Sequence, residues 1–112
     1  MPNQTAQLDR VFHALGDPTR RAVVRRLGQG PASVGELARP HKMALPSFMQ
    51  HLAALEQCGL VRSRKVGRVR TYQLQPKPLK AAEKWMVEQR ALWEARLDRL
   101  DNYLLEMKEQ EK

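Results

Sequence analysis

The sequence predicts a mostly α fold with a small β-hairpin wing: a winged helix-turn-helix with a long C-terminal dimerisation helix. Three observations predict this class. In residues 45–57, apolar residues recur at helical spacing, and Gly59 follows where a helix can end in the left-handed conformation. Two short runs, 60–65 and 69–74, enclose a glycine as the strands of a hairpin do. Residues 79–108 contain neither Gly nor Pro. A length of 112 residues predicts one domain, 1–112.

Two helices are predicted before the helix-turn-helix. Residues 1–6 are polar and are predicted to be a disordered tail. Asp17 and Pro18 open the second helix, because Asp accepts hydrogen bonds from unpaired N–H groups and Pro has no N–H to leave unpaired. The first helix is marked by Leu8, Val11, Phe12 and Leu15, and the exposed face of the second by Arg20, Arg21, Arg25 and Arg26.

The helix-turn-helix is predicted over 33–58. Ser33 and Glu36 have the spacing of a capping box, in which the hydroxyl and the carboxylate each bond the other residue's backbone N–H. This pair begins a short third helix that ends before Pro40. The next helix, 45–57, is then the recognition helix, and the hairpin over 60–74 is its wing.

The face of the recognition helix opposite its apolar stripe supplies the candidate base contacts. Gln50 can bond the N6 and N7 atoms of adenine in the major groove, and Pro46 and Met49 can contact thymine methyl groups. Alternatively, Met49 packs at the edge of the hydrophobic core. Ser47 is a candidate for a phosphate or base-edge contact, and His51 is either a phosphate contact or a half-buried packing residue.

The wing carries five cations in nine residues. Arg68 follows the turn glycine and is the candidate for a narrow minor groove. The others are candidates for phosphate contacts: Arg62, Arg64, Lys65 and Arg70.

The last predicted helix has an apolar seam that the rest of a small domain cannot cover. At 1.5 Å per residue, about 30 residues span about 45 Å. The seam therefore predicts a homodimer. A ligand pocket between this helix and the first one is the alternative reading for its two tryptophans. The predicted dimer residues are Leu8, Met86, Trp93, Leu97, Leu100 and Leu104.

Charge is segregated along the chain, whose formal net charge is +8. Residues 1–78 hold 13 Lys and Arg against 4 Asp and Glu, a net of +9, whereas residues 79–112 hold 7 against 8. A basic helix-hairpin portion beside a near-neutral tail favours a nucleic-acid partner for the former and a protein partner for the latter.

Five motifs in this order resemble those of the ArsR/SmtB family of bacterial winged-helix repressors: FHALGDPTRR (12–21), SVGELA (33–38), QHL (50–52), LE (55–56) and GLV (59–61). The resemblance covers about residues 8 to 76. It implies a homodimeric transcriptional regulator that binds double-stranded operator DNA with an inverted repeat. It further implies repression of the regulator's own operon until a signal releases it.

Several departures from the family pattern concern metals and the DNA-facing stripe. Members that sense arsenic, cadmium or lead carry a cysteine pair on the third helix, and 34–39 contains no cysteine. Members that sense zinc, nickel or cobalt place Asp and His ligands on the last helix, and no histidine follows His51. We therefore expect the metal-independent branch, with no metal ligands and no cofactor. Ala44, Pro46 and Met49 stand where members often have Ser or Thr, which makes the stripe unusually apolar.

Other functional classes are disfavoured. The sequence has no paired carboxylates, no Gly-rich phosphate loop and no nucleophile with a partner at a telling distance, so we expect no enzyme and no catalytic residue. The lone Cys58 fits a reducing cytoplasm. No signal peptide or membrane-spanning run is recognisable, so we expect a cytoplasmic protein without a membrane partner. The alternative function is a winged-helix module that binds protein or RNA. The operator, the existence of a small-molecule effector, and repression versus activation stay open.

Overall fold

The computed structural model describes residues 4–111. They form, in order, α1 (Gln4–Leu15), α2 (Pro18–Leu27), β1 (Ala32–Ser33), α3 (Val34–Ala38), α4 (Leu45–Gln57), β2 (Val61–Val66), β3 (Val69–Leu74) and α5 (Pro76–Gln110). This order confirms the predicted class, a mostly helical winged helix-turn-helix with a long C-terminal helix.

By its internal contacts the chain divides into two compact units, residues 1–82 and 83–112. The first unit holds α1 to α4, the sheet and the start of α5. Its hydrophobic core residues, each at most 3% exposed, come from all of these helices and from the three strands: Val11, Ala14, Val23, Leu27, Ala32, Leu37, Phe48, Leu52, Leu55, Cys58, Leu60, Val61, Tyr72 and Ala82. Pro78, in the first turn of α5, is buried as well. Burying each large apolar side chain of this set contributes about 1.5–3 kcal/mol, so α4 is held by its Phe and Leu stripe.

Side chains begin two helices as predicted. The Asp17 carboxylate accepts a 3.0 Å hydrogen bond from the backbone N–H of Arg20, and Pro18 is the first residue of α2. In the confirmed capping box, Ser33 Oγ accepts from the N–H of Glu36 at 3.2 Å, and Glu36 Oε1 accepts from the N–H of Ser33 at 3.3 Å. The Ser33 N–H, together with the Ser33 hydroxyl that donates to the same Oε1 at 3.1 Å, holds the pKa of the Glu36 carboxyl below its ordinary value.

The end of α4 forms a Schellman motif. The N–H of Leu60 donates to the carbonyl of Leu55 at 3.0 Å, and the N–H of Gly59 donates to that of Glu56 at 3.0 Å. Gly59 has a φ of 82°, which a residue with a Cβ adopts only under strain. Because the N–H of Leu60 is used here, β2 begins at Val61, one residue later than predicted.

The sheet has three antiparallel strands in the order β1-β3-β2. The sequence did not predict β1, because two residues show no periodicity. It pairs Ala32 with Tyr72 and Ser33 with Thr71, so the chain before α3 is joined to the wing.

Two helices begin earlier than predicted. α1 begins at Gln4, inside the segment 1–6 that was predicted as a disordered tail, because Leu8 packs against the core and supports the first turns. Residues 1–3 lie outside the described residues. α5 begins at Pro76, since prolines in a first helical turn lack only N–H groups that would be unpaired there.

In the second unit, residues 83–110 are helical and every described residue except Gln89 is exposed. No helix among the described residues is long and apolar enough to cross a membrane.

Candidate nucleic-acid interface

The recognition helix α4 is held by one face and exposed on the other. Phe48, Leu52 and Leu55 are 0–1% exposed, whereas Pro46, Ser47, Gln50 and Ala53 are exposed. Its N-cap, Ala44, makes no side-chain hydrogen bond to the helix. The exposed face therefore combines one amide, one hydroxyl and two apolar side chains.

Met49 and His51 lie at opposite margins of this face. Both are half-buried, and Met49 packs against the core cluster. The packing supports the reading of Met49 as a flank of the core and leaves only part of its side chain for a thymine methyl group.

His51 takes part in a polar network with α2, which we call the Arg20 network: Asp17, Arg20 and His51. The Nε of Arg20 donates to His51 Nδ1 at 3.1 Å, and Asp17 Oδ2 lies 3.6 Å from the same nitrogen. An Nδ1 that accepts a hydrogen bond carries no proton, so the neutral ring carries its proton on Nε2. Burial raises the pKa of Asp17, but the backbone N–H groups of Arg20 and Thr19 and the charge of Arg20 outweigh it, and the net shift is downward.

A second network joins the last turn of α4 to the wing, and we call it the Ser63 network: Glu56, Ser63 and Arg70. Ser63 Oγ donates to Glu56 Oε1 at 2.6 Å and accepts from Arg70 Nη1 at 2.8 Å. Nearby, burial and then the Glu56 charge raise the pKa of Tyr72.

The wing cations divide between the two faces of the hairpin. Residues paired across antiparallel strands point to the same face, and successive residues alternate. Lys65 pairs with Arg70 and shares the face of Ser63 and buried Tyr72. Arg62 and Arg64 lie on the opposite face, beside an open hollow of about 590 Å³.

The tip of the wing is a two-residue turn, Gly67-Arg68. Gly67 has a φ of 64°, and among the described residues only glycines have a positive φ. This combination is typical of a type II′ turn with Gly in its first central position. Arg68 is exposed at the tip, and so are Val66 and Val69 on either side of it.

The sequence analysis assigned no role at the interface to three members of these networks: Arg20, Glu56 and Ser63. Arg20 and His51 are 31 residues apart, so no local spacing relates them. The alternation of the wing strands could have placed Ser63 on the core face, but it could not have identified Glu56 as its partner.

Comparisons with known proteins give the family. A helix-turn-helix domain family matches residues 15–64. The HTH-type transcriptional regulator Rv2034 of Mycobacterium tuberculosis is 49% identical over 73 residues, which are 65% of this chain and 68% of that protein. The crystal structure of an ArsR family transcriptional regulator superposes with a TM-score of 0.78 at 53% identity, covering 84% of this chain and 97% of that chain. The chain belongs to the ArsR family of helix-turn-helix transcriptional regulators. The prediction that it is not an enzyme is thereby confirmed.

Two further proteins resemble this ArsR-family regulator. The transcriptional repressor SdpR of Bacillus subtilis is 30% identical over 80 residues, 71% of this chain and 89% of that protein. The homodimeric winged helix-turn-helix DNA-binding domain of a Mycobacterium bovis protein has a TM-score of 0.62 and 28% identity, covering 79% of this chain and 83% of that domain.

The histidines and the cysteine of this ArsR-family regulator are the residues that most often ligate transition metals. No group of three or more His, Cys, Asp or Glu residues there could hold a metal ion. His41 stacks on Phe48 with ring centroids 5.3 Å apart, and His13 is exposed. Cys58 is buried, and its Sγ donates to the carbonyl of Leu55 at 3.3 Å.

The predicted dimer residues of the second unit form an exposed apolar surface. Met86, Trp93, Leu97, Leu100 and Leu104 are 49–66% exposed in the single chain. They recur at heptad spacing, and we call them the α5 seam. Leu8, which was predicted to join them, is half-buried in the first unit and packs against the core of that unit.

Proposed function

We propose that this ArsR-family regulator binds an inverted-repeat operator as a homodimer and represses its own operon. The observation that carries the proposal is the exposed face of α4, where Gln50 stands free between the Arg20 network and the Ser63 network. In this proposal Gln50 bonds adenine, and Pro46, Ser47 and the exposed part of Met49 complete the base-facing surface.

The wing supplies the backbone contacts in this proposal. Arg68 enters a minor groove at the tip, and phosphates are neutralised by Arg62, Arg64, Lys65 and Arg70. His51 stays in the DNA-facing set through its Nε2, since its Nδ1 is occupied by Arg20.

The homodimer is supported by the α5 seam and by the Mycobacterium bovis domain, which is itself homodimeric. An apolar surface of this extent on a regulator is expected to be covered by a second copy. Two recognition helices would then meet successive major grooves, about 34–36 Å apart, on the two halves of the operator.

Repression is supported by the similarity to SdpR, a transcriptional repressor whose sequence aligns with 71% of this chain. A dimer on a promoter-proximal operator excludes polymerase without any further machinery. We also propose that the regulator acts in the cytoplasm and belongs to a metal-independent branch, because the described residues offer no cluster of ligands. A signal, if one exists, is then a small molecule other than a metal ion.

The test is selection of the operator followed by titration. Duplexes bound by the purified protein are selected from a random library, and the enriched sequence is compared with the DNA upstream of the regulator's own gene. We expect an inverted repeat that occurs upstream of the gene and binds about 10³-fold or more tighter than a scrambled duplex. Equal affinity for the scrambled duplex, or preference for an RNA of the same sequence, would overturn the proposal.

A further inference from the structure

Arg20 reaches the recognition helix from another element. It occupies the first turn of α2, where its backbone N–H is capped by Asp17. Its side chain crosses to α4 and donates from Nε to His51 Nδ1 at 3.1 Å. Ser47 precedes His51 by four residues, so both lie on the same flank of α4. The guanidinium therefore lies at this flank, beside His51.

The guanidinium of half-buried Arg20 is anchored at Nε and lies close enough to Asp17 to lower the pKa of that carboxyl. Arginine has five N–H donors, and the bond to His51 uses only the one at Nε. Within residues 4–111, the Nη1 and Nη2 groups of Arg20 make no hydrogen bond to the protein. Anchoring at Nε reduces the conformational entropy that the side chain loses on binding, and a planar fork of N–H groups matches the oxygens of a phosphate.

The position of this fork is complementary to that of the wing. Around the axis of α4, His51 lies about 100° from Gln50 in one direction, and Glu56 lies about 120° from it in the other. Glu56 is the residue that holds the wing through Ser63. A helix in a major groove has a phosphodiester strand on each side. The wing is positioned to contact the phosphates of one of these strands, and Arg20 is positioned to contact the phosphates of the other.

We propose that Arg20 is a phosphate-binding residue of this regulator and that His51 is its positioning residue. The inference rests on the proposed binding of duplex DNA and adds a contact from α2, outside the recognition helix and the wing. Because a phosphate contact carries no base information, Arg20 contributes equally to operator and random DNA.

The experiment titrates operator and scrambled duplexes at several salt concentrations with Arg20→Ala. The matched control is Arg25→Ala, which removes one exposed cation from the same helix without touching His51. For Arg20→Ala we expect about tenfold weaker binding to both duplexes, and a salt slope shallower by about one unit per half-site. For Arg25→Ala we expect affinity within about twofold of the wild type. Circular-dichroism melts establish that both variants are folded.

His51→Ala, alone and combined with Arg20→Ala, tests the positioning role. We expect His51→Ala to weaken binding more when Arg20 is present than when Arg20 is absent, because in the second case only the contact of His51 Nε2 is left to lose. Arg20→Lys keeps the charge but loses the Nε anchor, so its salt slope should stay near the wild-type slope, and His51→Ala should cost this variant less affinity than it costs the wild type. If Arg20→Ala is unstable, Arg20→Lys still tests whether His51 positions the Arg20 side chain for DNA binding.

Three results separate the possible failures. A folded Arg20→Ala variant that matches Arg25→Ala in affinity and salt slope would overturn the phosphate contact. An equal cost of His51→Ala with and without Arg20 would overturn the positioning role. A wild-type protein that binds both duplexes equally would contradict the proposed operator function, while the comparison of Arg20 with Arg25 on random DNA would still decide this inference.

Discussion

The Ser63 hydroxyl donates a 2.6 Å hydrogen bond to Oε1 of Glu56, which joins the first wing strand to the last turn of the recognition helix. Arg70 Nη1 donates to the same hydroxyl oxygen at 2.8 Å, so one serine bridges an anion and a cation. The helix α4 and the wing are thereby linked through side chains as well as through the backbone.

Replacing this serine should loosen the link. Ser63→Ala is expected to lower the free energy of unfolding by about 0.5–1.5 kcal/mol, because two hydrogen bonds at a partly exposed site are lost. In a double-mutant cycle with Glu56→Ala the losses should not add, since both changes remove the bond between Ser63 and Glu56. Urea unfolding measures both effects. Ser47→Ala, a change at an exposed serine outside this network, is the control, and equal losses for the two serine variants would contradict the link.

Gln50→Ala should reduce specificity rather than general affinity. We expect a loss of about 1–3 kcal/mol on the operator and little change on scrambled DNA, because a bidentate contact to adenine is lost. Gln57→Ala, an exposed glutamine on the last turn of the same helix, should leave both affinities unchanged. Titration of the two duplexes gives the ratio, and an intact operator preference in Gln50→Ala would mean that another face reads the bases.

Lys65→Ala provides the opposite pattern for comparison with Gln50→Ala. It should weaken binding to the operator and to the scrambled duplex by the same factor. It should also make the salt dependence of binding shallower by about one unit per wing. Lys84→Ala, which removes an exposed cation from α5, should change neither quantity.

Acid should destabilise the protein through two carboxylates that cap helices. The pKa of Asp17 is below its ordinary value of 3.8, and that of Glu36 is below its ordinary value of 4.5. A folded-state pKa below the unfolded value means that the stabilisation is present above about pH 4.5 and is lost as the pH falls through the folded-state values. Melting temperatures should therefore be flat from about pH 7 to 5 and decline below that range. The double variant Asp17→Asn with Glu36→Gln should decline less steeply, and an unchanged profile would refute the assignment.

Metal ions should leave operator binding unchanged. We expect the same operator affinity with and without zinc, cadmium or arsenite at concentrations that avoid precipitation, because the described residues hold no cluster of ligands. Titration with a chelator-treated protein is the reference. A saturable, stoichiometric metal site that weakens operator binding about tenfold would contradict the metal-independent assignment.

Charges introduced into the α5 seam should prevent dimerisation. Trp93→Glu combined with Leu97→Glu would bury like charges between two copies of the helix. We expect a monomer in sedimentation and a steep loss of operator affinity, since one half-site supplies only part of the phosphate contacts. Ala91→Glu combined with Ala95→Glu adds the same charge to the opposite side of the helix and should stay dimeric. A folded seam variant that sediments and binds as the wild type does would place the interface elsewhere.

Residues close together in the sequence determined much of the secondary structure of this protein. The cap at Asp17, the capping box of Ser33 and Glu36, and the apolar stripe of α4 each depend on residues within one or two helical turns. Helix and strand periodicity also depend only on residues close together in the sequence. The order of the helices and the position of the wing could therefore be predicted. The ordered motifs along the chain were by themselves sufficient to indicate the ArsR family.

Tertiary structure alone decided which distant side chains meet. Arg20 contacts His51 across 31 residues, and β1 pairs Ala32 with Tyr72 across 40 positions of the chain. No periodicity relates such residues, because their contact arises only when separate elements pack on a common core. The sequence could therefore indicate that α4 has a free face and that the wing is basic. Only packing could decide that Arg20 lies against one flank of that face and that Ser63 ties the wing to the other.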